Sequence, residues 1–360
     1  MNNFFKKYSS LIETVFKITA LTYFFMSFYY LFFLSQGGGG DESLFVSDLI
    51  FIKTNGWISA IGKSISIPYI LLVYPFSFFL REYVALRIAN VFLLVLLVLY
   101  FFKIAKIKTS SFYFYLLFFF GTSAYFFKET NDALFFSGLV VFMNEVFYFI
   151  ENKKMNNQVL AFSGLIISFF TRELFLVYLP VIILGFYFLY KERFVFFNKK
   201  LVFPLLLFLF FMVINIPSLK LNDKLSYENK KPPSETANWS QLICLSQLLI
   251  NKGELKNFSN PSWEQTEKYL KKNGPDSLPK GILESLTFDY SLTIKEFFKE
   301  FYYSMFFGLR QLGLILLFPF YFITINLKKK NILDPIMYLA IFINYNAFNS
   351  IVNYHRKHRA

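Results

Sequence analysis

Charge is scarce within the apolar runs of this chain, and most of it gathers where those runs end. Asp41 and Glu42 follow four glycines in QGGGGDESLF, with Asp48 just beyond. Arg87 stands near the start of an apolar run, Lys128, Glu129, Asn131 and Asp132 fall in KETND, and Arg172 and Glu173 fall in TRE. Arg310 and the tail residues His355, Arg356, His358 and Arg359 complete the set. A carboxylate beside a hydroxyl can take its proton as the oxygen attacks, which is typically worth about 10²–10⁴-fold in rate. Arginine and lysine hold phosphate by charge-assisted hydrogen bonds, arginine through two at once. His355 and His358 are the only histidines. No third soft ligand accompanies them, so zinc is not expected. Cys244, the single cysteine, leaves no intramolecular disulfide to form.

Each of these groups also has a plainer reading. Asp41 and Glu42 suit a solvated loop, and Asn131 or Asp132 suits the N-cap of the helix that ALFFSG opens. Arg172 and Glu173 could pair with each other, Arg87 and Arg310 could snorkel to an interface, and the histidines could belong to a basic tail. Glu145 lies well inside an apolar run and reads as a buried hydrogen-bonded acid.

The elements that would carry these residues are membrane helices. Of 360 residues, 56% are hydrophobic, with 53 Phe and 24 Tyr. The apolar runs are about 17–25 residues long, enough to cross roughly 30 Å of hydrocarbon as helices. The expected fold is all-α and polytopic. The net charge of +14 falls between the runs, as cytoplasmic loops require, and does not point to nucleic acid. Lys6 and Lys7 place the N-terminus in the cytoplasm. The first run, residues 12–35, is too long for a cleaved signal core and reads as a retained helix.

Further helices are expected over 84–104, 111–127, 133–150, 159–170, 174–190, 201–217, 303–326 and 334–352, about nine in all with the first. Residues 36–83 form a first external loop, in which 44–65 is amphipathic and glycine-broken and 66–80 is short and proline-bearing. The expected domains are a membrane module over 1–217, an external insertion over 218–300 and C-terminal helices over 301–360. The insertion is rich in proline and glycine turns, with short helices over 240–252 and 262–272. It also carries Asn-x-Ser triplets at Asn238 and Asn257, weak glycosylation signals. This topology brings the charged run ends to one membrane face.

The arrangement resembles the GT-C superfamily of membrane glycosyltransferases, among them the protein O-mannosyltransferases and the aminoarabinose transferase of lipid A. The resemblance rests on the order of Asp41-Glu42 in the first external loop, ALRIANVF with Arg87, the Asn131-Asp132-Ala133-Leu134 element and the Thr171-Arg172-Glu173 turn. It covers most of the first 190 residues and thins afterwards. Ile67-Pro68-Tyr69 stands where such enzymes carry two prolines, with Lys63 the nearest basic residue.

The resemblance implies a GT-C-like bundle that transfers a sugar from a polyprenyl-phosphate donor to a glycan, lipid or protein acceptor, in one inverting displacement. Asp41 is the first candidate for the base, with Glu42 and Asp132 next. Arg87, Lys128, Arg172 and Arg310 would hold the donor phosphate, and Glu173 and His355 would serve the acceptor or other roles. No metal ligand is assigned and no cofactor is required, although Asp41, Glu42, Asp48 and Asp132 offer hard oxygens to Mg or Mn. The expected setting is a bacterial inner membrane with the site on the external face. An O-antigen-type polymerase or ligase, a transporter, and a non-catalytic membrane protein are the competing readings.

Overall fold

The structure, a computed structural model, describes residues 9–34, 42–105, 131–196, 198–228, 234, 236–256 and 259–312. Among these residues every regular element is helical. The chain divides into two compact units, Met1–Asn229 and Lys230–Ala360.

The first unit opens with α1 (Ser9–Tyr29), which runs on through a π-helical turn to Leu34. Next come α2 (Glu42–Gly62), the short α3 (Ile67–Val73) and α4 (Glu82–Leu99), the last extended by a π-helical turn to Ile104. Then follow α5 (Asp132–Asn152), α6 (Gln158–Thr171), α7 (Phe175–Lys191), α8 (Val202–Ile214) and α9 (Ile216–Asn222). The helices expected over 84–104, 133–150, 159–170 and 174–190 are all present, displaced by no more than two residues at either end. The helix expected over 201–217 instead bends by 44° between α8 and α9, where Pro217 enters the first turn of α9. The expected helices over 111–127 and 334–352 lie outside the described residues, as does most of 303–326.

Among the described residues, three helices are long and apolar enough to cross a membrane: α2, α4 with its π-helical turn, and α5. The bent α8–α9 pair makes a fourth if it is one span, and α6 and α7 are shorter apolar helices. The stretch 66–80 is no span. Its α3 has 7 residues, about 10 Å of rise against roughly 30 Å of hydrocarbon.

Contacts at the two ends of α2 distinguish it from the other long helices. Glu42, its first residue, pairs with Arg87 in the second turn of α4. At its far end, the Gly62 carbonyl accepts a hydrogen bond from Asn222, the last residue of α9, at 2.8 Å. Just beyond, Ser66 donates to the carbonyl of Thr171, which ends α6, and accepts from Asn131, which precedes α5. The starts of α4 and α5 and the ends of α6 and α9 lie at one end of the antiparallel bundle. α2 therefore lies across that end instead of running through the bundle. Gly56 bends it with φ 81° and ψ 166°, a conformation only glycine adopts without strain.

The core beneath α2 joins Leu49, Ile52 and Ile61 to Ile67 and Ile70 of α3 and to Leu86 and Ala89 of α4. α5 and α6 approach closely at Gly138 and Gly164, where a Cβ on Gly138 would meet the Gly164 carbonyl and Ser168 Oγ. Small residues at such crossings let membrane helices pack backbone to backbone.

In the second unit, α10 (Trp239–Asn251) and α11 (Trp263–Asn273) each begin with a reciprocal capping box, Asn238 with Gln241 and Ser262 with Gln265. α12 (Ile282–Phe288) and α13 (Tyr290–Leu312) follow. A small core of Ala237, Cys244, Leu245, Leu270 and Leu278 holds α10 to α11, with the Trp239 and Trp263 rings 4.9 Å apart. The Asn238 side chain accepts from Gln241 N and donates to the Lys280 carbonyl, so this triplet's amide is already engaged. Asn257 lies outside the described residues.

Candidate functional site

The covered end of the first unit is where the sequence candidates meet. Asp132 begins α5 and Arg172 follows the last residue of α6, and the two form a direct ion pair. Antiparallel packing of α5 on α6 brings an N-terminus beside a C-terminus, which is why residues so far apart in sequence become partners. The pair keeps access to solvent, with side-chain exposures of 35% for Arg172 and 21% for Asp132.

Asn131 holds this joint in place. It occupies the N-cap position of α5, yet its side chain makes no cap bond. Its amide donates instead to Ser66 Oγ at 3.0 Å and to the Thr171 carbonyl at 3.1 Å. Ser66 Oγ donates to the same carbonyl at 2.8 Å. The three residues are buried and tie the start of α3, the start of α5 and the end of α6 together. A buried amide whose bonds are satisfied fixes geometry, because leaving it unpaired would cost about 1–3 kcal/mol.

Glu42 and Arg87 make a different arrangement. Arg87 Nε meets Glu42 Oε1 at 2.9 Å and its Nη2 meets Oε2 at 3.2 Å, a forked pair. Both side chains are sealed, at 0% and 2% exposure. The pair fastens the start of α2 to α4. Lys53 adds a second, more exposed fastening, donating to Glu82 and to the Ser77 carbonyl at 2.8 Å each.

The sequence reading missed Glu228. Tyr-Glu-Asn after α9 carries no motif, and only the fold gives Glu228 a neighbour. The segment leading to it is sewn onto the end of α2. Ser226 N donates to Asn215 Oδ1 at 2.7 Å, and Ser226 Oγ accepts from Ile65 N and donates to the Ile65 carbonyl at 2.8 Å each. Tyr227 then donates to the Phe169 carbonyl at 3.0 Å. This sets the Glu228 carboxyl beside that of Asp48 on α2, with Arg172 close enough to act on it. Burial, and after it the Asp48 carboxyl, push Glu228 up to about 9. Burial, and after it the charge of Glu173, push the Tyr227 hydroxyl up to about 12. Glu173 thus belongs to the same cluster.

Asp41, Lys128 and His355 lie outside the described residues. Arg310 falls on α13 in the second unit, with its side chain outside the description. Among the described residues, no group of three His, Cys, Asp or Glu is placed to hold a metal ion. Glu145 is a buried hydrogen-bonded acid, but it sits under the α5–α6 turn and away from mid-span. It accepts from the Tyr100 hydroxyl at 2.6 Å and from Asn157 N at 2.9 Å.

The site therefore combines a partly exposed arginine with its aspartate, a largely buried acid beside a second carboxyl, and a tyrosine, all at one end of an apolar helical bundle. Compared with known protein families, with characterised proteins and with solved structures, the chain matches none.

Proposed function

We propose that this chain is a membrane glycosyltransferase that moves a sugar from a polyprenyl-phosphate donor to a hydroxyl of a glycan, lipid or protein. In this reading it is a GT-C-like bundle of about nine spans, set in a bacterial inner membrane with its N-terminus cytoplasmic and its site external. The observation that carries the reading is the Asp132–Arg172 pair, open to solvent at the bundle end beneath α2. A polyprenyl-phosphate sugar keeps its lipid in the hydrocarbon and its phosphate at the interface. An arginine at the end of an apolar bundle is placed to meet that phosphate and to stabilise it as it leaves.

Charge developing on the leaving phosphate rewards a fixed cation most in a site with little water. Arg172 supplies the cation, and Asp132 holds its guanidinium in place until donor binds. Glu42 and Arg87 act at a distance from the reacting atoms by seating α2 over the site. Asp41 stands one residue before Glu42 in the sequence.

The test is transfer in proteoliposomes supplied with labelled polyprenyl-phosphate hexoses and pentoses and a pool of lipid and glycan acceptors. Arg172→Ala should lower turnover about 10²-fold or more, with Arg172→Lys in between. Wild-type turnover in Arg172→Ala would sink the assignment of Arg172. Failure of the wild type to transfer from any donor would sink the transferase reading itself.

A further inference from the structure

The connection between α3 and α4 points its apolar side chains outward. Phe78, Phe79 and Leu80 are exposed at 64%, 89% and 37%. The connection itself is firmly built. The Ser77, Phe79 and Leu80 amides donate to the Tyr74 and Phe76 carbonyls at 3.0–3.2 Å, and the Ser77 hydroxyl donates to the Tyr74 carbonyl at 2.8 Å. Phe78 packs edge-on against Tyr74 with ring centroids 4.9 Å apart, and Tyr74 packs likewise against Trp57 of α2 at 5.0 Å. From α2, the Lys53 ammonium also holds the Ser77 carbonyl. Three rings and a lysine thus brace a projecting tip, and the exposed Arg81 follows it. Phe76 packs on Phe92 of α4, with ring centroids 6.1 Å apart.

We propose that the Phe78–Leu80 tip is a membrane anchor, which enters the bilayer just below the headgroups and seats α2 against the lipid surface. The anchor stands whether or not the chain transfers sugar. Its occupant follows from the surface it continues. Phe92, Val95, Leu96 and Leu99 recur along one side of α4 and are exposed, while Leu93, Leu94 and Leu97 between them are buried. On a helix long and apolar enough to span, that exposed side faces hydrocarbon. Phe76 on Phe92 joins the tip to this lipid-facing side. The backbone suits the same place. An amide without an acceptor is costly at the hydrocarbon boundary, and this connection supplies acceptors to its own amides. The rim suits it too. Tryptophan and tyrosine gather at headgroup level, where Trp57 and Tyr74 would stand, and Lys53 and Arg81 would meet the lipid phosphates. An exposed apolar patch rimmed by polar groups marks a contact surface.

Nitroxide labels test the anchor on the full chain in liposomes of phosphatidylethanolamine and phosphatidylglycerol. With Cys244 replaced by serine, single cysteines are placed at Phe78, Phe79, Leu80 and Arg81, and at Lys154 in the exposed turn between α5 and α6. Phe79 is almost fully exposed, so Phe79→Cys removes little packing and should leave the melting temperature unchanged. Labels at 78, 79 and 80 should collide more with dissolved oxygen than with a water-soluble nickel chelate, at a depth of about 5–10 Å below the lipid phosphates. The label at 81 should be shallower, and the label at 154 should lie in water. A label at 79 as open to the chelate as the label at 154 would overturn the anchor. A label at 79 shielded from both reagents would also overturn it, because protein and not lipid would then cover the tip. Phe79→Asp gives a second reading. A carboxylate at the tip is expelled from hydrocarbon, so amide hydrogen exchange in α2 should quicken several-fold in lipid nanodiscs. Exchange equal to wild type would sink the claim that the tip seats α2.

Discussion

At the scale of single residues, the two arginines that the sequence groups together have parted roles. Arg87 is forked onto Glu42 with both side chains sealed, whereas Arg172 shares Asp132 and keeps a third of its surface open. Removing one member of a buried pair leaves the other charge uncompensated, a loss of about 3–5 kcal/mol. Glu42→Gln should therefore lower the melting temperature of the protein in detergent sharply, and Glu42→Gln with Arg87→Met should recover part of the loss. An unchanged melting temperature in Glu42→Gln with turnover lost would return Glu42 to the reacting site. Glu228 gives the pH dependence. Its carboxyl is raised from 4.5 to about 9, so the folded unit holds a proton that the unfolded chain has released. Stability from that proton is fully present below about 4.5 and is lost as pH rises toward 9. Melting temperature should fall across that window, and Glu228→Gln should flatten the fall.

At the scale of elements, two glycines carry specific loads. Gly138 lies where α5 meets α6, and any side chain there runs into the Gly164 backbone. Gly138→Leu should push the helices apart at a cost of about 1–3 kcal/mol or more, read as a lower melting temperature. It should also reduce turnover, because the α5–α6 contact sets Asp132 against Arg172. Gly56 has open space around it, so its substitution meets no neighbour. Its φ of 81° is the obstacle, and Gly56→Ala should cost about 1–3 kcal/mol of backbone strain. A melting temperature equal to wild type in Gly56→Ala would show that α2 does not need its bend.

At the scale of the molecule, the placement of α2 sets the topology. By length and hydropathy it qualifies as a span, yet both of its ends contact the same end of the bundle. Ser43 at the start of α2 and Lys63 just after its end are exposed, and Lys154 is exposed at the turn joining the opposite ends of α5 and α6. With Cys244 replaced by serine, single cysteines at Ser43 and Lys63 should react with an impermeant thiol reagent from the same side of the membrane. A cysteine at Lys154 should react from the other side. Labelling of the Ser43 and Lys63 positions from opposite sides would make α2 a span and reverse the order of every later helix.

The amino-acid sequence by itself determined that this chain is helical and where most helices of the first unit begin and end, because runs of apolar residues bounded by charge specify a helix locally. It also pointed to Asp132, Arg172 and Glu173, since helix ends in an apolar bundle are where charge survives at tolerable cost. The joining of these residues was decided by tertiary structure. Whether an arginine is sealed onto a glutamate or left open depends on which helix lies over it, and nothing near Arg87 in the sequence states that α2 will cover it. The Glu228 carboxyl is pushed up by burial, and after it by Asp48, far away in the chain, through a fold of the segment after α9 that local sequence does not encode. Helix existence is a property of short stretches. The protonation and access of a carboxyl depend on every element that packs around it.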